Sequence, residues 1–357
     1  MIDRDDKGSL SRRGFLGAAG GAAAIGTLGP LSGAALAGGR HDHHGRGHGH
    51  RDDNEDYGFG KGGDLPLDKI GIQLFTVRDL LADNELDLPG TFEMLRDAGY
   101  AEVEIGGNYD GRTPAEFLAL ARDYDLKPEG MHTPGGHNAW RNNTEGVLDD
   151  AETLGLRYVG VASPAGGTPQ THDAYRALAE EFNTFGAAAR ARGLKFYFHN
   201  HPGDFALDGG TPIYNTLVEE SDRKLVYFEL DIAWIEAGGQ SAYEYLRHYG
   251  PWRFPLFHVK DLRYAADGPR STPGNVNLPN RPFWLTDVGK GDIDFPKIFS
   301  ALRDRDDHHY FVEHDDAPQD ETADSSSPRP RNPAGSANTS WTSRKYLANL
   351  EIPRRRW

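Results

Sequence analysis

The 357-residue chain has no cysteine. This excludes a disulfide framework, a thiolate nucleophile, a thiolate-bound zinc site and a lipid-modified cysteine anchor, so any metal must be held by His, Asp and Glu. Positive charge is also scarce: 39 Lys and Arg face 54 Asp and Glu, for a net charge of −15. Nucleic acids and anionic membranes select basic surfaces, and neither is expected as a partner. Long, strongly apolar runs are missing too. The nearest, Phe15 to Leu36, is mostly Gly and Ala and carries Pro30, which is too weak for a stable membrane anchor. What remains is 37% hydrophobic residues with 44 glycines, an ordinary globular composition long enough for two domains or one large α/β barrel.

The first 37 residues read as an address. Ser11-Arg12-Arg13-Gly14-Phe15-Leu16 resembles the twin-arginine export motif, and Ala35-Leu36-Ala37 supplies a small-x-small cleavage site. The motif implies a signal peptide over 1–37, passage through the twin-arginine translocase, and a periplasmic or extracellular mature chain without a membrane anchor. Residues 38–64 follow as a Gly-, Arg- and Asp-rich stretch with His41, His43, His44, His48 and His50. Such a tract can scavenge metal, but no apolar residue fixes its geometry, and a solvated linker is the simpler reading.

From residue 65 to about 352 the pattern changes. Short apolar runs alternate with amphipathic segments, giving eight candidate strands: Ile70–Phe75, Glu102–Ile105, Pro128–His132, Tyr158–Ala162, Lys195–His199, Val226–Asp231, Leu256–Lys260 and Tyr310–Glu313. Helix-like spacing falls between them at Phe92–Ala98, Pro114–Tyr124, Thr144–Leu154, Tyr175–Arg192 and Phe295–Arg303, with a last helix at Trp341–Leu350. Thr113-Pro114 marks a helix start, while Gly99, Gly155 and Gly193 mark helix ends just before strands. Eight such units predict a closed (β/α)8 TIM barrel; a doubly wound sheet is the runner-up, but no glycine-rich dinucleotide fingerprint follows the first strand. Two long polar segments, Tyr264 to Phe283 and a flexible insertion at about 316–338, fall on the face where barrel active sites lie.

Polar residues gather at the carboxyl ends of the last four strands. Side chains two apart on a strand share a face, so the fifth strand offers His199 and His201, the sixth Asp231, the seventh His258 with Lys260, and the eighth Glu313. Imidazoles and carboxylates in this mixture suit one divalent ion, Mn²⁺, Zn²⁺, Co²⁺ or Mg²⁺. His199, Asp231, His258 and Glu313 form the expected ligand set, with His199 or His201 as the fifth-strand member.

Here the chain resembles the sugar phosphate isomerase/epimerase group, with its xylose-isomerase-like TIM barrel. The resemblance runs from about Lys69 to Leu350. It rests on Ile70-Gly71-Ile72-Gln73-Leu74-Phe75, Tyr197-Phe198-His199-Asn200-His201, Phe228-Glu229-Leu230-Asp231, His258-Val259-Lys260-Asp261, Gly289-Lys290-Gly291-Asp292 and Val312-Glu313. It implies one divalent metal on strands five to eight, with Asp231, His258 and Glu313 matching three family ligands. At the fourth place His199 stands where many epimerases have glutamate. That departure separates the chain from the two-glutamate epimerases and moves it toward lyases of 3-keto-glycosides.

The chemistry common to these enzymes starts by removing a proton next to a carbonyl while a metal holds the enediolate. Glu313 is the expected ligand and base, His201 or His132 the partner acid or base, and Lys260 a binder of substrate oxygen or an ion-pair partner of Glu229 or Asp261. Gln73, Glu104 and Trp234 are expected to bind the sugar. Three readings compete: a metal-dependent sugar isomerase or epimerase, a 3-keto-glycoside lyase or hydrolase-like enzyme, and a non-catalytic carbohydrate-binding barrel. Export favours a free or oxidised sugar or glycoside over a sugar phosphate.

Overall fold

A computed structural model of the chain describes residues 65–82, 87–264, 283–315 and 317. The readings for the signal peptide, the linker, the segment inside Tyr264–Phe283, the 316–338 insertion (Ala317 apart) and the Trp341–Leu350 helix lie outside these residues. Within them, eight parallel strands close into a barrel: β1 (Ile70–Gln73), β2 (Glu102–Gly106), β3 (Lys127–His132), β4 (Tyr158–Val161), β5 (Lys195–His199), β6 (Val226–Asp231), β7 (Leu256–Val259) and β8 (His309–Val312). Each strand neighbours the next and β8 pairs with β1, so the α/β TIM barrel read from the alternation is the fold.

Helices follow the strands for local reasons. Thr113 caps Pro114–Asp123 through a reciprocal pair of bonds with Glu116, and the helix ends Gly99, Gly155 and Gly193 adopt positive φ as expected. Between helices and strands lies a continuous apolar shell that includes Phe92, Trp140, Phe182, Phe196 and Phe228. Burying each such side chain stabilises the fold by about 1.5–3 kcal/mol. The barrel interior is different: only Tyr158, Tyr197, Leu256 and Phe311 cluster there as a hydrophobic plug. Among the described residues, no helix is long and apolar enough to cross a membrane.

Several boundaries depart from the sequence reading, and three of them bear on the site. β1 stops at Gln73 because its side chain accepts the Phe75 amide and starts a 3-10 turn. The helix expected at Thr144–Leu154 begins at Gly136 and is kinked at Asn143. Beyond β7, Asp261–Tyr264 pairs antiparallel with Phe283–Thr286, so the ends of the expected loop form a ribbon. Asp261 fixes its base by accepting from the amides of Gly289 and Gly291 at 2.9 Å each.

Candidate active site

Strand alternation turns Tyr197 and His199 on β5, Glu229 and Asp231 on β6, and His258 on β7 into the barrel. Strand register then sets His199 beside Glu229 and Asp231 beside His258. Glu313 and Lys260 stand one residue past the ends of their strands. All seven are at most 5% exposed.

The cluster has two tiers. In the upper tier, one donor atom each from His199, Asp231, His258 and Glu313 lies within 4.8 Å of every other. Asp231 Oδ2 is 3.9 Å from His199 Nε2 and 3.8 Å from His258 Nδ1, and Glu313 Oε2 is 2.6 Å from His258 Nδ1. The other Asp231 oxygen caps the following helix by accepting the Trp234 amide at 2.8 Å, and Asn200 clasps the Asp231 backbone. Asp231 is thereby fixed with one oxygen free to face the cluster.

The lower tier orients the upper. Glu104 Oε2 lies 2.6 Å from His258 Nε2, and Glu229 Oε2 lies 3.2 Å from His199 Nδ1 and 2.9 Å from His132 Nε2. For His258 and His199 the carboxylate engages one ring nitrogen and leaves the other aimed at the upper tier, the arrangement that fixes metal-binding imidazoles, whereas the other nitrogen of His132 lies 3.5 Å from Gln73. Gln73 donates to Glu104 at 2.6 Å, and the Tyr197 hydroxyl donates to its other oxygen. Gly130 makes room for this pair: a Cβ there would lie 3.3 Å from Glu104 Oε1 and 3.5 Å from the Tyr197 hydroxyl.

These residues fit a divalent cation. Asp231 Oδ2 and His258 Nδ1 are buried 3.8 Å apart, the first resting on Lys260 and the second on Glu313, so that two imidazoles and two carboxylates converge as the donor set a divalent cation takes. One positive charge is already close. Lys260 Nζ is 2.9 Å from Asp231, 2.7 Å from Glu313 and 2.5 Å from Asp315, with the Trp234 ring centroid 4.6 Å away.

The neighbours set the charge states. Burial alone would raise the Glu313 carboxyl, but His258 and Lys260 hold it well below the usual range. Burial would make His258 neutral, yet Glu229, Glu313 and Glu104 push it well above 6.5. Burial and the nearby His258 drive His199 well down, and burial with Lys260 lowers His201 to about 4. Burial and Glu104 raise Glu229.

A cavity of about 470 Å³ opens above the cluster. Glu313 and Asp315 reach it from the β8 end; His132, His199 and His201 reach it from β3 and β5, across the barrel. His201 Nδ1 is 3.4 Å from the Ser163 hydroxyl. The other expected site residues lie behind that wall. Gln73 and Glu104 are fully buried below His132, and Trp234 packs over Lys260 and against Phe283. Lys260 itself pairs with Asp231, Glu313 and Asp315, not with Glu229 or Asp261 as its ion-pair reading had it. The sequence reading missed Glu229 as a site residue, although it stands two before Asp231 on the same strand, and missed Tyr197, two before His199.

The profile of the xylose isomerase-like TIM barrel family matches residues 92–331, and the chain belongs to that family. An inosose dehydratase from Clostridium perfringens is 30% identical over 139 residues, 39% of this chain and 46% of the relative. A second, from Clostridium beijerinckii, is 27% identical over 129 residues, 36% of this chain and 42% of the relative. The match thus spans about half the length of these curated relatives. Among solved structures, a sugar phosphate isomerase/epimerase from Parabacteroides distasonis superposes with a TM-score of 0.55 at 21% identity, covering 80% of this chain and 94% of that one. The IOLI protein with a bound zinc atom superposes with a TM-score of 0.53 at 17% identity, covering 79% and 95%. At these identities the structures establish the fold.

Proposed function

We propose that this member of the xylose isomerase-like TIM barrel family is a divalent-metal enzyme that removes a proton next to the carbonyl of a neutral sugar or cyclitol. The carrying observation is the asymmetry of the cavity, with carboxylates on the β8 wall and imidazoles on the facing β3 and β5 walls. Glu313, held anionic, is the base that takes the carbon-bound proton. His132 and His201 face that base from the opposite wall; His132, which burial alone would keep neutral but Glu104 and Glu229 raise, can return a proton or protonate a departing hydroxyl, while His201, kept neutral, can accept a proton or hydrogen-bond the substrate. A cation held by His199, Asp231, His258 and Glu313 would supply electrophilic stabilisation to the substrate oxygen. Glu104 and Glu229 keep the imidazoles oriented, and Lys260 holds Glu313 and Asp315 in place.

Elimination of water fits this arrangement better than epimerisation. Epimerisation by two carboxylates needs one on each side of the substrate, and here the facing wall carries histidines. The partial similarity to inosose dehydratases supports the same choice. Among the described residues, the cavity wall contains no lysine or arginine, which favours a neutral substrate over a sugar phosphate. Export by the twin-arginine route is part of the proposal and rests on Ser11–Leu16 and the Ala35-Leu36-Ala37 cleavage site.

The test is a screen of inososes, keto-sugars and 3-keto-glycosides in deuterated water with metal-loaded protein. Loss of water with deuterium incorporation supports the reading. A product of unchanged mass apart from the label would assign an isomerase or epimerase instead, and release of an aglycone would assign the glycoside lyase. Binding without exchange on any of them would leave a carbohydrate-binding barrel.

A further inference from the structure

A second polar cluster is enclosed at the opposite, N-terminal end of the barrel. Glu102 opens β2, Glu129 lies early in β3 and His309 opens β8; they are 2%, 1% and 2% exposed. The plug of Tyr158, Tyr197, Leu256 and Phe311 fills the barrel interior, and the Tyr158 ring stands edge-on to His309 at 5.6 Å. Glu129 faces inward for a specific reason. The β2–β3 ladder pairs Val103 with Pro128 and then Glu104 with Gly130, so Glu129 is the extra residue of a β-bulge, a device that re-aims a side chain.

The contacts repeat the pattern of the active face. His309 Nδ1 is hydrogen-bonded to Glu102 Oε2 at 2.7 Å. Its other nitrogen, Nε2, lies 3.3 Å from Glu129 Oε1, and neither of these atoms makes a hydrogen bond although both are buried. Lys127 reaches only the other oxygen of Glu129. An imidazole that gives Nδ1–H to a carboxylate presents a lone pair at Nε2, here directed at a carboxylate oxygen. Two lone pairs facing across a buried gap repel unless a positive charge lies between them.

We propose that Glu129 and His309, with Glu102 as orienting carboxylate or third ligand, form a second divalent-cation site of the zinc class. One donor atom from each of the three residues lies within 4.8 Å of the others, and one nitrogen with carboxylate oxygens suits such an ion. The site joins β8 to β2 and β3 across β1, where the barrel closes, so its role is to pin the closure. It is independent of the activity proposed above.

The test uses the full chain with the five linker histidines changed to alanine and with His258→Gln to dismantle the active-face seat. After chelation, this protein should bind one equivalent of Zn²⁺ by calorimetry, and Zn²⁺ should raise its unfolding midpoint by about 5 °C. Adding His309→Gln or Glu129→Gln should abolish both effects. Absence of binding, or binding that survives both substitutions, overturns the proposal. Zinc-edge anomalous diffraction on the otherwise unmodified chain decides the matter even where a variant fails to fold. A peak between His309 Nε2 and Glu129 Oε1 supports the site, and peaks confined to the active face refute it.

Discussion

The two ends of the barrel hold histidines and carboxylates in similar contacts but put them in opposite states. On the active face, Asp231, Glu313 and Asp315 surround Lys260, Glu104 and Glu229 hold the imidazoles from below, and His258 is pushed well above its ordinary pKa. At the base, burial together with Lys69, Arg157 and Lys127 lowers His309 to about 4, while burial raises Glu102 to about 7. The active-face cluster opens into a cavity of about 470 Å³, whereas the base cluster is enclosed by strands. Residue type alone therefore does not mark a catalytic site. An excess of negative charge and an open wall distinguish the end that can take a substrate from the end that can only hold the barrel together.

The comparison breaks most decisively at Asp231. Asp231→Asn should lower turnover by about 10³-fold, because it removes a ligand whose cation contributes several kcal/mol to the transition state. The same variant should keep the fold and the base end intact, as read by zinc binding there. Turnover near wild type would make both clusters structural.

Acid should weaken the base next. His308 is buried beside His309, donates from Nδ1 to the Phe254 carbonyl at 3.0 Å, and burial lowers it to about 4 from 6.5. A histidine kept neutral in the fold contributes stability that is present above about pH 6.5 and is lost as the pH falls toward 4. The full contribution is about 3 kcal/mol. His308→Gln should flatten the fall of the unfolding midpoint across that window; an unchanged slope would place the acid sensitivity elsewhere. His201 on the active face, also near 4, accounts for part of what remains.

Glu229→Gln tests the lower tier. Loss of the carboxylate that orients His199 should reduce metal affinity or turnover by about 10–100-fold, as is usual for such partners. Equal affinity in the two proteins would show that the lower tier is a passive ion cluster. The smallest effect is expected at Trp234. Replacing it by leucine removes the ring over Lys260 and should cost about 1 kcal/mol in denaturant unfolding. A raised KM with unchanged stability would restore the sugar-stacking role that the sequence suggested.

Much of this was legible in the residues. Period-two alternation on β5 to β7, with Glu313 just past β8, was enough to bring His199, Asp231, His258 and Glu313 to one point, because a parallel barrel turns alternate side chains inward. Alternation gives the side a residue faces but not its depth. Gln73 and Glu104 were read as sugar contacts, and they lie under His132 as supports for His258. Partners set by long-range geometry were less visible: the Lys260 contact with Asp315 depends on how the chain leaves β8, and the Asp261–Tyr264 ribbon depends on a strand over twenty residues away. Glu129 was hidden for another reason, since the β-bulge breaks the parity counted back from His132.

The most direct test follows exchange of a substrate carbon-bound proton with deuterated water before chelation, after chelation and after return of a divalent metal. The account predicts exchange that disappears on chelation, returns when the metal is restored to the wild-type chain, and never appears in Asp231→Asn. Exchange that persists in the stripped protein, or in that variant, would contradict it.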